Sequence, residues 1–112
     1  PPADRAAALL EFARIVRDPR RASHLRAGDI LVCAVTDPAW SALFARAGGL
    51  ITDIGGMLSH GAVIARELGL PAVVNTRGGT ARIPDGARIR IDGSSGAVTI
   101  LAPPSDNGGA KP

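Results

Sequence analysis

The stretch TDIGGMLSHGAVIAR, residues 52–66, places two glycines and a histidine between a short apolar segment and a helical pattern. Residues 50–54 predict a strand, and residues from about Ser59 to Leu68 predict a helix. Glycines allow a sharp turn and close approach of a bulky group. A helix start offers unpaired N–H groups and a positive dipole end, which favour a phosphate-sized dianion. An unperturbed imidazole is largely neutral at pH 7, so a histidine at this position, His60, is placed to act as a nucleophile toward phosphorus.

A histidine at a helix start is not specific by itself. The same pattern fits an N-terminal surface histidine or a structural one with satisfied hydrogen bonds. The flanking sequence therefore has to decide between these alternatives.

The segments outside this stretch predict an α/β fold. The predicted helix ends at Gly69 and Pro71 and is followed by a strand over 72–74. Upstream, residues 30–35 form an apolar strand candidate, and a helix over 39–47 is opened by Pro38 and ended by Gly48-Gly49. Downstream, turns at 78–79, 84–86 and 92–96 separate strands near 87–91 and 97–101. Two β-α-β passages and a hairpin imply parallel strands with an antiparallel addition. Residues 4–16 fit either a helix or a strand.

The composition is that of one globular domain. The chain has 112 residues, of which 46% are hydrophobic and 21% charged. Its net charge is +3, and five arginines fall between Arg14 and Arg26. We interpret them as a solvated basic face, because no RNA-binding signature is present and few aromatic residues exist to stack bases. We expect no nucleic-acid partner, and a basic nucleic-acid-binding module is the more distant alternative.

Several residue types exclude other classes of protein. The single cysteine, Cys33, rules out an internal disulfide, fits a reducing cytoplasm and is predicted to be a small buried hydrophobe. No apolar run reaches the roughly 20 residues of a membrane span, and no signal-peptide pattern is present. Two distant histidines and one cysteine give no metal site at standard spacing. His24 is predicted to be an ordinary surface histidine, and Trp40 a core or rim residue.

The residues from Gly55 to Val74, GGMLSHGAVIARELGLPAVV, resemble the mobile phosphohistidine domain of PEP-utilising enzymes. That family includes pyruvate phosphate dikinase, PEP synthase, enzyme I of the sugar phosphotransferase system and rifampin phosphotransferase. Its signature is roughly T-x-x-G-G-x-x-S/T/C-H-x-x-x-x-A-R. Every fixed position is filled here, by Thr52, Gly55, Gly56, Ser59, His60, Ala65 and Arg66. The similarity extends over GDILVCAVTDPAW (28–40) and IPDGARIRIDGSSGAVTIL (83–101), about two-thirds of the chain.

The resemblance implies the swivelling β/β/α fold, with a parallel sheet, a smaller antiparallel sheet and flanking helices. We expect this domain to occupy residues 1–102, with its core at 28–101 and a flexible tail at 103–112, and the natural protein to be longer. His60 would accept the phosphoryl group and pass it on.

The resemblance also implies roles for the residues around His60. Ser59 would cap the helix near the phosphate, and Thr36 would hydrogen-bond the histidine, although a helix cap would use the same threonine. Arg66 would balance charge, with a structural salt bridge as the alternative. The residues placed at the phosphate are Gly55, Gly56 and Gly61. Thr52 is expected to be structural.

Two features depart from the family pattern. Leu58 stands where many members have a threonine that in some plant dikinases is a regulatory phosphorylation site, so that regulation is excluded. The apolar residue resembles the rifampin phosphotransferase branch. The family's Gly/Ser-rich opening is replaced by PPADRAAALLEF, so the first strand either begins late, near Glu11, or part of the pattern is lost.

The function implied is that of a phosphoryl-carrier domain, phosphorylated transiently on His60 and working within a PEP-utilising phosphotransferase or dikinase. We expect no cofactor to bind this domain. Mg²⁺ and ATP or PEP would be held by partner domains: an ATP-grasp domain and a PEP, pyruvate or other acceptor domain. The alternative is a non-catalytic interaction or hinge module with the same fold. The sequence does not indicate the acceptor, the choice of ATP or PEP as donor, or the oligomeric state.

Overall fold

The computed structural model describes residues 8–104, which form one curled, six-stranded sheet with helices and loops against it. The strands are β1 (Ala8–Ile15), β2 (Ile30–Cys33), β3 (Gly49–Thr52), β4 (Ala72–Val73), β5 (Arg88–Asp92) and β6 (Ala97–Ala102). The helices are α1 (Ser41–Phe44), which continues a 3-10 turn at Pro38–Trp40, α2 (His60–Leu68) and α3 (Gly79–Arg82).

The strand order is β4-β3-β2-β1-β5-β6. Strands β1 to β4 are parallel to one another, while β5 pairs antiparallel with β1 and β6 pairs antiparallel with β5. The two β-α-β passages and the final hairpin are therefore confirmed. The parallel and antiparallel portions share β1 and therefore form one continuous sheet.

Both faces of the sheet carry a core. Val16, Leu31, Cys33 and Leu50 pack with α1 and with Ala65 of α2 on one face. Ile30, Val32, Ile51, Ile89 and Ile91 fill the other face, where the curl of the sheet closes on itself with help from Ile83. Because β2 and β3 are buried on both faces, their sequences, ILVC and GLIT, are largely apolar and do not alternate with charged residues.

A backbone clasp joins the loops that precede β2 and β3. The Gly28 N–H donates to the Arg46 carbonyl, and the Gly48 N–H donates to the Asp29 carbonyl, both at 2.8 Å. A side chain at Gly48 would collide with the Gly28 carbonyl oxygen, so glycine is required there for the two loops to meet. Asp29 is buried and accepts from the Arg14 side chain at 3.0 Å, which fixes the same corner.

Several predicted boundaries need correction. Residues 8–15 of the ambiguous N-terminal segment are a strand, because their pairing with β5 outweighs the helical spacing, and the strand is already formed at Ala8 rather than near Glu11. The helix predicted over 39–47 is the 3-10 turn and a short α-helix, ending at Phe44. The strands predicted over 50–54 and 72–74 end at Thr52 and Val73.

The turn predicted at Gly78-Gly79 opens a short helix that the sequence pattern missed. Apart from Pro103 and Pro104, the predicted tail at 103–112 lies outside the described residues, as do residues 1–7 of the predicted domain. Within the described part of the chain, no helix is long and apolar enough to span a membrane.

Cys33 is fully buried, as predicted, and burial together with the nearby Asp53 carboxylate raises the pKa of its thiol to about 12. Its ordinary value is 9.0.

We therefore expect a thiol reagent at pH 8.5 to leave the folded chain unmodified and to label Cys33 rapidly in urea, as measured by intact mass. Rapid labelling without denaturant would contradict the burial. Because the folded pKa is the higher one, the thiol stabilises the fold below about pH 9, and this contribution falls as the pH rises toward 12.

Candidate functional site

His60 is the first residue of α2 and lies beyond the carboxyl end of β3. Its Nδ1 atom is 2.9 Å from Oγ1 of Thr36, a buried residue in the loop that follows β2. The ring of Phe44 meets the imidazole edge-on, with 6.1 Å between ring centroids and 63° between planes. Two contacts from separate segments thus orient the imidazole, and the Nδ1 contact leaves Nε2 as the ring nitrogen available for chemistry.

Thr36 had two interpretations, as a helix cap or as the partner of the histidine. The structure separates them, because the cap of the 3-10 turn is Asp37, whose side chain accepts from the Ala39 N–H at 2.8 Å. Thr36 is left to hydrogen-bond His60.

Ser59 is the N-cap of α2. Its hydroxyl oxygen accepts from the Ala62 N–H at 3.4 Å, and its hydroxyl donates to the Gly56 carbonyl at 2.7 Å. The same side chain therefore caps the helix and closes the turn that leads into it, one residue before the histidine.

The surroundings of the three glycines of the predicted site constrain them to different degrees. Gly55 has φ +124°, and a Cβ there would lie 3.0 Å from the Ser59 side chain, so both conformation and space require it. At Gly61 a Cβ would lie 2.9 Å from Thr36 Oγ1 and 3.1 Å from a Leu50 methyl group. Gly61 thus lets α2 approach the loop that holds Thr36. At Gly56 a Cβ would meet nothing within 4 Å.

Arg66 makes a contact that the sequence did not indicate. Its guanidinium donates to the Met57 carbonyl at 3.0 Å, from the last turn of α2 back to the loop before it. Neither interpretation from the sequence included this contact, and no salt bridge of Arg66 is found within residues 8–104. Arg66 holds the glycine loop against its own helix.

The remaining candidates lie apart from this cluster or beneath it. His24 has two close contacts. Its Nε2 atom is 2.8 Å from the carbonyl oxygen of Ile15, the last residue of β1, and 3.8 Å from the Asp85 carboxylate. Trp40 is a buried core residue. Thr52 is 2% exposed, and its hydroxyl has no hydrogen-bond partner in the described part of the chain. Its carbonyl accepts from Thr76, which fits a structural role.

Phe44 is the residue that the sequence analysis missed. It is 2% exposed and sits in the helix that follows β2, and nothing in its spacing indicated contact with His60. The only signal in the sequence that could have drawn attention to Phe44 was the small number of aromatic residues, two Phe and one Trp.

A groove of about 660 Å³ lies beside the site and is bordered by Met57, Arg66 and residues 69–76. The His60 imidazole does not line this groove.

Residues 25–96 match the family profile described as PEP-utilising enzyme, mobile domain. The chain belongs to this family. The resemblance noted in the sequence is thereby confirmed, and so is the fold that it implied. The NMR solution structure of an enzyme I protein (nEIt) aligns over 71% of this chain and 33% of that chain, with 30% identity and a TM-score of 0.61.

Two curated relatives of this mobile domain are named as phosphotransferases. Rifampicin phosphotransferase of Streptomyces sviceus is 54% identical over 90 residues, which is 80% of this chain and 10% of that protein. An uncharacterised phosphotransferase of Bacillus subtilis is 51% identical over 89 residues, 80% of this chain and 11% of that protein. The chain spans about a tenth of the length of these relatives.

The packing around Gly61 predicts a difference between two glycine substitutions. Gly61→Ala should reduce the free energy of unfolding by about 1–3 kcal/mol, because the added methyl group collides with Thr36 and Leu50. Gly56→Ala is the matched control and should change it by less than about 0.5 kcal/mol, since the space is open. Urea unfolding measures both, and equal effects would contradict the proposed close approach of α2.

Proposed function

We propose that this mobile domain carries a phosphoryl group on Nε2 of His60 and relays it between sites held by other domains. The observation that carries the proposal is the 2.9 Å contact between Thr36 Oγ1 and His60 Nδ1. With its proton on Nδ1 and donated to the threonine oxygen, the neutral ring has its free lone pair on Nε2. In this assignment Thr36 accepts from Nδ1–H, and the outward nitrogen is the nucleophile.

The transfer step exchanges one bond to phosphorus for another. The Nε2 lone pair forms the N–P bond while the bond from phosphorus to the donor's leaving oxygen breaks, and the leaving group takes that electron pair. The ring gains positive charge as the bond forms, and Thr36 accepts the hydrogen bond from Nδ1–H that stabilises it. Catalysis of this kind rests on positioning and on charge stabilisation. The Phe44 contact and the Ser59 cap supply the positioning.

The phosphoryl group would sit at the N-terminus of α2. The helix dipole favours a dianion there by about 0.3–1 kcal/mol, and backbone N–H groups of the first turn add hydrogen bonds. Gly55 and Gly56 keep the approach free of side chains, and Gly61 allows α2 to lie close to Thr36. Arg66 contributes by bracing the glycine loop through the Met57 carbonyl.

Donor and acceptor chemistry would belong to partner domains. Asp37 and Asp53, two carboxylates near the site in sequence, accept hydrogen bonds from Ala39 and Thr80. Within the described residues, no cluster of three or more His, Cys, Asp or Glu side chains is placed to hold a metal ion. We infer that Mg²⁺ and ATP or PEP bind an ATP-grasp or PEP-binding domain, that pyruvate or another acceptor binds elsewhere, and that the protein works in the cytoplasm.

Exposure to phosphoramidate should add one phosphoryl group to the chain, detected by intact mass. The adduct should survive alkali, be lost in acid, and be absent in His60→Ala. His24→Ala is the control and should be modified normally, because His24 lies against β1 rather than at this site. A wild-type chain left unmodified by phosphoramidate, and by ATP or PEP with partner domains present, would instead identify a non-catalytic interaction or hinge module.

Replacing Thr36 tests the role of its hydroxyl. Thr36→Val keeps the shape but removes the oxygen that accepts from Nδ1–H, and should slow phosphorylation of His60 about 10–100-fold, by analogy with other groups that orient a histidine. Thr36→Ser keeps the oxygen and should recover most of the rate. NMR of the His60 ring nitrogens should show loss of the Nδ1–H tautomer in the valine variant alone. Equal rates in both variants would remove Thr36 from the mechanism.

A further inference from the structure

The Thr36 hydroxyl that faces His60 has a proton of its own to place. A hydroxyl has one O–H donor and two acceptor lone pairs, so Thr36 can either accept from Nδ1–H of His60 or donate to Nδ1. Thr36 is only 8% exposed, and within residues 8–104 its hydroxyl forms no hydrogen bond except with Nδ1. Without another acceptor, the Thr36 proton turns toward Nδ1 and the ring proton moves to Nε2. The direction of this bond therefore depends on a second partner for Thr36.

Thr52 carries a buried hydroxyl that can serve as this partner. The residue is 2% exposed, and no hydrogen bond to its hydroxyl oxygen is found in the described part of the chain. Buried hydroxyls in folded proteins nearly always have a partner, because burial removes the hydrogen bonds that water would supply. A buried hydroxyl of this kind indicates a bound water or a functional contact.

The Thr52 side chain lies between the sheet and α2, as Thr36 does. Thr52 follows Leu50 by two residues in β3, so both side chains point to the face of the sheet that α2 covers. On that face, a Leu50 methyl group and Thr36 Oγ1 lie 3.1 Å and 2.9 Å from the position that a Cβ of Gly61 would occupy. Thr52 therefore lies under the first turn of α2, where the Thr36 hydroxyl also lies.

The ends of β2 and β3 bring the two threonines together as well. Thr52 ends β3 and is paired in register with Cys33, which ends β2 three positions before Thr36. The Asp53 N–H donates to the carbonyls of Cys33 and Ala34 at 3.1 Å, so the two chains are still joined one residue beyond the strands. No direct bond joins the two hydroxyls in this part of the chain, and a water molecule that binds both would link them.

We propose that Thr52 is a positioning residue for His60, and that its hydroxyl holds one bound water that accepts from the Thr36 O–H. This inference rests on the function proposed above. With its own proton donated to this water, the Thr36 oxygen accepts from Nδ1–H, and the lone pair of Nε2 is available to phosphorus. Thr52 does not touch the reacting atoms and acts only through Thr36.

The variants Thr52→Val and Thr52→Ser test the proposal with phosphoramidate as the donor. Valine has nearly the shape of threonine without the hydroxyl, so the water loses its anchor and the Thr36 proton turns to Nδ1. Thr52→Val should therefore lower the fraction of the Nδ1–H tautomer, measured from the ¹⁵N shifts of the His60 ring. It should also slow phosphorylation about 2–10-fold, the effect of about one hydrogen bond. Thr52→Ser keeps the hydroxyl and should recover most of the tautomer and of the rate.

The free energy of unfolding separates this role from a structural one. Replacing a buried hydroxyl that has no protein partner by a methyl group should leave the fold as stable as wild type or stabilise it. Thr52→Val should thus react more slowly without being less stable in urea. Cys33→Ala is the matched control, because Cys33 is fully buried opposite Thr52 on the same face of the sheet. It should be less stable but keep the tautomer and the rate of wild type.

A double variant shows whether Thr52 acts through Thr36. In a Thr36→Val background, adding Thr52→Val should slow phosphorylation no further, since the hydroxyl that Thr52 supports is already gone. An unchanged tautomer and rate in Thr52→Val, or equal slowing in both backgrounds, would overturn the inference and leave the carrier role of His60 intact. A wild-type chain that no donor modifies would remove the proposed function itself, and this inference with it.

Discussion

The parallel pairing of β2 with β3 is the constraint on which the site depends. Their register places Cys33 opposite Thr52, so both strands end at the same edge of the sheet. The loops that leave this edge are joined at once, since the Asp53 N–H reaches the carbonyls of Cys33 and Ala34 at 3.1 Å. Thr36 and His60 come from these two loops and meet at 2.9 Å. Residues 24 positions apart are brought together because parallel strands present their carboxyl ends side by side.

Glycine at 61 sets how closely the two loops can approach. A larger residue there would collide with the Thr36 side chain, and the imidazole would lose the hydrogen-bond partner of its Nδ1 atom. The positive φ of Gly55 serves the same end, because it turns the chain so that Ser59 can cap the helix. Backbone geometry and hydrogen bonding therefore support one arrangement, with each glycine contributing for a different reason.

Much of this arrangement could be predicted from the sequence. The apolar run over residues 30–35 predicted a strand that the structure shows at Ile30–Cys33, two residues shorter, and the glycine stop at Gly69 matches the structure. His60 and its helix are also local features. The β1 strand was ambiguous because its partner strand, β5, lies 76 to 84 residues further along the chain, and the spacing within one segment cannot indicate such a partner.

The remaining features of the site depend on tertiary contacts. Phe44 reaches the imidazole only because the chain after β2 folds back over the sheet, and Arg66 reaches Met57 only because α2 begins beside the glycine loop. The short helix at Gly79–Arg82 is fixed by Asp53, whose carboxylate accepts from both the backbone and the hydroxyl of Thr80. Propensity alone disfavours a helix that starts on two glycines, so a side chain from another segment is what stabilises it.

The backbone clasp between Gly28 and Gly48 has a mechanical consequence. It locks the amino ends of β2 and β3 together, while the Ala34, Asp53 and Ile54 hydrogen bonds lock their carboxyl ends. A strand pair fastened at both ends resists sliding, so the loops that lead to Thr36 and His60 leave the sheet from fixed positions. For the proposed relay, this fastening means that Thr36 and His60 would travel together, as one unit, whenever the domain moves.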